Sequence, residues 1–553
     1  MRRVTAAQRT GDTQQLTRRI GVGVLVAMLS VTACSHGTSM PEPARRTLVI
    51  GQLREPSSLN PLLIDGSVAE NLGALAFSYL VAVDDRGRLV PDVATAVPTL
   101  ANGGIARDGR HLTYHLRHDV RWDDGEPLTA RDVLFTYRAV MNPRNDVPTR
   151  LGFDQIASIA APDPYTVRVT LKRPFAPFVT YFLEPENFPI LPAHVLENLR
   201  DLNSAAFNQH PVGSGPYRVV EWKRGDRLRL AANPAYWRGA PAFETIVVRF
   251  IANEETILTG LRSHELDASF DVSPASRESA RAQLPESVVG TYPIYGFGAL
   301  VFNTRSGVVD DARVRRAIAQ AIDRNTIVRK VSHGALGADR APQGLFGWAY
   351  APQVDEPRYD VPAASALLEA AGWRPDIHGL RWRAGHQLQL DLAYDNSSAV
   401  ARGAAVALQD QLARAGVDLR LKGYAPILFH ALGEYGPLSG GRFALALDTV
   451  LTGYDPETSW FFRCDQAPPA GSNYARYCDR AADAAQNDAL ATFDETRRSA
   501  DYRTVQKRVA ADVPVAFLWR TAGLSIAPAW LHGMQPSPET PYWSAWKWTP
   551  AAK

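Results

Sequence analysis

The stretch from Leu388 to Leu421 constrains the fold more than any other part of the chain. Leu388, Leu390 and Leu392 alternate with polar residues, the period of a strand with one buried face. Val400, Ala404, Leu408 and Leu412 then recur at helical spacing up to Gly416, and Val417, Leu419 and Leu421 alternate again. Strand, helix and strand joined in this way form a βαβ crossover, which demands two parallel strands and therefore an α/β lobe. The pattern extends towards the N-terminus. Val301-Phe302-Asn303 ends a strand, and Asp310 or Asp311 is placed to cap a helix whose Val314, Ile318 and Ala321 share one face. Pro362 and Gly372 bracket a further helix over 363–371. Residues 300–513 thus form one lobe. Ahead of it, 47–53 reads as a strand, Arg54–Pro61 as a turn-rich loop and 67–80 as a helix, while 81–205 holds short segments of a small α+β unit.

A chain of 553 residues has material for three or four domains. Its 46% hydrophobic and 21% charged residues are ordinary for globular proteins and exclude a disordered, fibrous or polytopic membrane chain. The formal charge of +3 comes from the N-terminus. Residues 1–33 carry five of the 60 basic groups and one of the 57 acidic ones, so 55 face 56 in the remainder. Such a balance lacks the cationic footprint of a nucleic-acid binder.

The N-terminus reads as an export signal over 1–33. Arg2, Arg3, Arg9, Arg18 and Arg19 precede an apolar run from Ile20 to Val31, too short to span a bilayer but suited to a secretory h-region. Val31-Thr32-Ala33-Cys34 resembles the lipobox of bacterial lipoproteins, which implies acylation of Cys34 and a membrane anchor followed by a tether over 34–46. An ordinary signal peptide is the alternative. Of the other cysteines, Cys464 and Cys478 lie 14 positions apart; in an oxidising compartment such a pair reads as a local disulfide, against two free buried thiols.

Catalytic signatures of a secreted hydrolase are missing. Gly213-Ser214-Gly215 lacks the spacing of a nucleophile elbow, and His264-Glu265 is not followed by the second His of a zinc protease. His111, His115 and His118 are the only local His group, and in a strand they fall on two faces. No catalytic residue, metal ligand or cofactor site is therefore assigned.

Several segments, in order along the chain, resemble the large extracellular solute-binding proteins of peptide and nickel ABC importers. They are Trp122-Asp123-Asp124-Gly125 through Val133, Gly213-Ser214-Gly215-Pro216-Tyr217 through Trp237, Phe302-Asn303-Thr304 with Arg313–Ile318, Leu367–Trp373, and Tyr477-Cys478-Asp479. The resemblance implies an α/β bilobal clamshell of the periplasmic-binding-protein type (type II, three-subdomain form). Lobe I would comprise 47–82, an accessory α+β subdomain over 83–205, 206–299 and 514–553. Lobe II would comprise 300–513, with chain crossings near 296–302 and 510–515. It further implies a monomeric carrier that takes short peptides between its lobes and passes them to a permease without chemistry. Another solute (a nickel chelate, haem or a glycoside) on the same fold, a hydrolase, and a sensor or chaperone that has lost transport are the alternatives. Peptide-binding members pair the ligand's amino group with an Asp of lobe II, and Asp455 in Thr452-Gly453-Tyr454-Asp455-Pro456 matches one such Asp, although Thr452 stands where many members carry another. Tyr454, Trp460, Tyr295, Arg54 and Glu55 are the further ligand-contact candidates. Trp519, Trp530, Trp543, Trp546 and Trp548 are assigned to the core of lobe I.

Overall fold

Two long antiparallel strands, Ser287–Phe302 and Val515–Pro528, run side by side through the molecule and form its longest strand pairing. The computed structural model describes residues 46–550 apart from positions 65, 186, 345 and 355. The expected export signal, Cys34 and nearly all of the expected tether lie outside the described residues.

The long strands sit in the middle of an eleven-stranded mixed sheet. On one side Ser287–Phe302 pairs with Leu445–Leu451, beyond which lie Gln389–Asp395 and Asp418–Tyr424. Gln389–Asp395 and Asp418–Tyr424 are parallel and joined by the helix Ala399–Ala413, the crossover that the leucine pattern predicts. On the other side Val515–Pro528 contacts Ala268–Ser269, followed by Thr47–Gln52, Thr245–Phe250, Arg227–Ala232 and Tyr217–Lys223. A separate three-stranded sheet of His111–His115, Thr166–Leu171 and Ile156–Asp163 builds the accessory unit, yet its Tyr114, Val167 and Val169 share one continuous core with Leu48 and Ile50 of lobe I.

The central strands of lobe II are apolar at consecutive positions because both faces are covered. Leu300 and Phe302 pack with Leu445, Leu447, Ala516 and Leu518 on one face. Ala299 and Val301 pack with Ala446, Val515 and Phe517 on the other. Farther along the same two strands, Val289, Leu524 and Ile526 join lobe I residues such as Ile257 and Leu261. The change of lobe therefore falls within the strands. Register shifts between Pro293 and Phe297, where Gly296 adopts φ +152°, a conformation suited to glycine, and Thr521 Oγ1 donates to Ile294 O at 2.7 Å. These positions differ from the crossings expected at 296–302 and 510–515. The first lies at 293–297, and the second at about 520–522 rather than 510–515, because 515–519 is a full strand of lobe II. Trp519 accordingly packs in lobe II, while Trp548 does pack in lobe I.

Helix starts follow the caps. Asp311, rather than Asp310, caps Ala312–Gln320 by accepting from Arg313 N at 2.8 Å. Asp360 caps Val361–Ala370 by accepting from Ala363 N at 2.9 Å. The Gly-Ser-Gly-Pro stretch has a packing reason. Gly215 N donates to Ala76 O at the end of the helix Gly66–Ala76, and a Cβ on Gly213 would stand 1.9 Å from that same oxygen. Gly213→Ala should cost about 2 kcal/mol or more, as strained core positions do; urea unfolding followed by circular dichroism measures it. Cys464 and Cys478 form a disulfide. Its reduction is expected to lower stability by about 3 kcal/mol, the loop-closure value for a ring of this size, in a thermal melt with and without reductant.

Candidate ligand-binding cleft

The first crossing carries Tyr295, and the folding of both lobes gathers other aromatic side chains around it. Thr452 N, just past the strand Leu445–Leu451, donates to Tyr295 O at 3.1 Å, which brings Tyr454 beside Tyr295. The Tyr454 ring meets the Tyr295 ring edge-on with centroids 6.1 Å apart. Phe346 stacks on Tyr295 at 5.2 Å and 15°. The hairpin Val81–Pro91 of lobe I reaches the same place: Leu89 N lies 3.4 Å from Tyr454 Oη, and Gly87 O lies 3.5 Å from Tyr295 Oη. A cavity of about 300 Å³ opens here between the lobes, walled by Tyr295, Tyr454, Phe346 and Trp348, with Asp85 and Arg86 at the turn of the hairpin.

The walls of lobe II are held from behind by the helix Glu495–Asp512. Ser499 Oγ donates to Trp348 O at 2.8 Å, Gln506 Nε2 donates to Ala349 O at 2.7 Å, and Ala351 N donates to Gln506 Oε1 at 2.9 Å. The same helix supplies Arg498, whose Nη2 donates to both oxygens of Asp455 at 2.6 and 2.8 Å. Tyr502 Oη donates to Asp455 Oδ1 at 3.3 Å, and Glu457 N donates to the same oxygen at 3.1 Å. Both partners of the ion pair are buried, with 9% and 6% of their side chains exposed. Burial opposes the charge on Arg498, but Asp455 and Tyr502 outweigh it and hold its pKa above the ordinary value.

The site expected from sequence is therefore redistributed. Tyr295 and Tyr454 do meet at the inter-lobe cavity. Asp455, next in the chain to Tyr454, turns inward and is engaged within lobe II by Arg498 and Tyr502, and it is not among the walls of the cavity where an ammonium anchor is expected. Glu55 accepts from Trp222 Nε1 and from Gly225 N, both at 3.0 Å, and fastens its loop to the hairpin of lobe I. Arg54 is exposed, and neither residue borders the cavity. Trp460 packs edge-on against Phe461 at 5.5 Å in the core beside Tyr474 and is likewise outside the cavity walls. Phe346, Trp348, Asp85 and Arg86 were not singled out from sequence. Their signals, an aromatic Phe-Gly-Trp loop and an Asp-Asp-Arg-Gly turn, are common in loops and carry no information on what they face.

The comparisons with known proteins agree with this architecture. Residues 88–463 match the family described as bacterial extracellular solute-binding proteins, family 5, middle region. The chain belongs to that family. It is 30% identical to Protein XP55 of Streptomyces lividans over 93% of this chain and 92% of that protein. It is 25% identical to the oligopeptide-binding protein AppA of Bacillus subtilis, over 95% and 97%. Among solved structures, NikZ of Campylobacter jejuni in complex with Ni(L-His) superposes with a TM-score of 0.77 at 24% identity, over 91% of this chain and 99% of that one. Among the described residues no helix is long and apolar enough to cross a membrane.

Two predictions follow from the Asp455 cluster. Asp455→Asn should destabilise the fold by about 3–5 kcal/mol, because it leaves a buried guanidinium without its counter-ion; chemical denaturation measures this. Glu457 beside it is fully buried, and burial pushes its carboxyl up to about 7. The folded chain thus retains a proton that the unfolded chain releases above about 4.5. Stability from this group is complete below that value and declines as pH rises through about 7. Glu457→Gln is expected to flatten the fall in melting temperature between pH 5 and 8, read by differential scanning calorimetry.

Proposed function

We propose that the protein is an extracytoplasmic receptor that encloses a short peptide between its lobes and delivers it to the permease of an ABC importer. In this reading Cys34 carries the lipid that holds the mature chain at a bacterial membrane, and the protein acts as a monomer. The observation that carries the reading is the cavity at the lobe crossing, whose walls come from both lobes. A ligand there is contacted by Tyr295, Tyr454, Phe346 and Trp348 at once, and its capture biases the lobes towards closure. No bond is made or broken, so affinity comes from desolvating apolar surface against aromatic faces. Membership of a solute-binding family and the name of AppA, an oligopeptide-binding protein, support the peptide class.

With Asp455 engaged by Arg498, the ligand is held chiefly by side-chain packing in the aromatic cavity, with Asp85 and Arg86 as the charged groups beside it. Native mass spectrometry of the purified protein tests the reading. The expected result is a set of peptide masses released on unfolding. An empty protein that gains no thermal stability from a peptide library, or one that carries metal instead, refutes it. Tyr454→Ala should weaken binding of a recovered peptide at least tenfold, about 1.4 kcal/mol, in a calorimetric titration.

A further inference from the structure

A second recess lies on lobe I, bordered by the hairpin turn that also borders the inter-lobe cavity. It has a volume of about 590 Å³ and is walled by Arg86, Arg117, Arg238 and Lys547 with Trp543 and Trp546. Its cations are interleaved with three indoles drawn from two distant parts of the chain. Arg117 Cζ stands 4.1 Å from the centre of the Trp237 ring, and Arg238 Cζ stands 4.4 Å from the same ring. Arg238 is also 5.4 Å from Trp546, and Lys547 Nζ lies 5.0 Å from Trp546 and 5.4 Å from Trp543. Attraction to the ring faces offsets the repulsion that gathering these charges costs.

The carboxylates nearby leave much of that charge uncommitted. Arg238 Nη2 is bound to buried Asp92 at 2.9 Å, and Arg88 is bound to Asp84 at 2.6 Å. Arg117 reaches only a backbone oxygen, donating from Nε to Asp92 O at 2.9 Å. Among the described residues, Arg117, Arg86 and Lys547 make no ion pair. Of the two carboxylates on the wall, Asp84 and Asp85, Asp85 makes no ion pair among the described residues. Three free cations therefore face one free carboxylate in a chain whose overall charge is close to zero. A neutral protein that concentrates positive charge in an aromatic-walled recess focuses its field on an anion.

We infer that this recess is a second binding site for a multiply charged small anion, a polycarboxylate or an oligophosphate, read by Arg86, Arg117 and Lys547. The guanidinium edges offer paired donors to carboxylate or phosphate oxygens, and Lys547 adds a point charge. The inference does not rest on which solute the inter-lobe cavity carries, although Asp85 and Arg86 border both recesses.

Calorimetric titration of the protein with tripolyphosphate and with citrate at physiological salt tests the inference. Saturable binding of one of them with Kd below about 1 mM is expected, weakened at least tenfold by Arg117→Gln and by Lys547→Gln. Tyr454→Ala is expected to leave it unchanged. Among the described residues the Lys547 side chain makes no hydrogen bond or ion pair and meets only the faces of Trp543 and Trp546, so Lys547→Gln is expected to keep the fold and remove the charge. Absence of saturation for both anions, or equal affinity in wild type and Lys547→Gln, overturns the proposal. Saturable binding of hexaglutamate with no response to either small anion also overturns it, and assigns the surface to an acidic protein segment.

Discussion

The structure depends on one pair of strands that belongs to both lobes. Ser287–Phe302 and Val515–Pro528 are hydrogen-bonded along nearly their whole length, so neither lobe closes its sheet without the other's strands. Because the pairing is continuous, the connection between the lobes is a stretch of sheet rather than a loose linker. Its larger interruption, between Pro293 and Phe297, breaks the ladder where the core changes from one lobe to the other, and a second register shift follows at Gly298/Ala299. Tyr295 sits inside that interruption. Its position at the cleft follows from the strand pair before any ligand is considered.

The walls of the cleft depend in turn on charge buried behind them. Arg498 fills a space between Asp455, Tyr502 and the Ala489 carbonyl, and its guanidinium lies 5.4 Å from the Trp348 ring. Desolvating an Arg and an Asp is costly unless their hydrogen bonds are met. Here Asp455 accepts from Arg498, Tyr502 and Glu457 N, which meets that demand and fixes the backbone that presents Tyr454. The residue that looks like a ligand contact in sequence thus supports its neighbour.

Local pattern accounts for the parts of the fold that were legible in sequence. Alternating apolar residues at 388–392 and 417–421 around a helix produce the parallel pair, and Pro362 with Gly372 brackets a helix, because each depends on residues a few positions apart. The crossings were displaced for a related reason. Val515 to Trp519 is apolar throughout, and a run buried on both faces looks the same whichever lobe owns it. The site was less legible. Tyr295 and Tyr454 lie beside recognisable segments, whereas Phe346, Trp348 and Asp85 lie in loops whose composition does not say which surface they reach. Asp455 was read as available because its partner, Arg498, is 43 positions away.

The sequence by itself determined the class of the protein: an α/β chain, the order of motifs that places it in a solute-binding family, and a cysteine pair close enough to bridge. Periodicity, capping and motif order are written within short windows, and short windows suffice for them. Tertiary structure alone decided which polar groups are spent and which remain free. It paired Asp455 with Arg498, tied Glu55 to Trp222, brought four aromatic rings from three segments to one cavity, and gathered Arg117, Arg238 and Lys547 around three indoles. Electrostatic and packing energies depend on distance in space, and for these residues that distance is set by the sheet that joins the lobes.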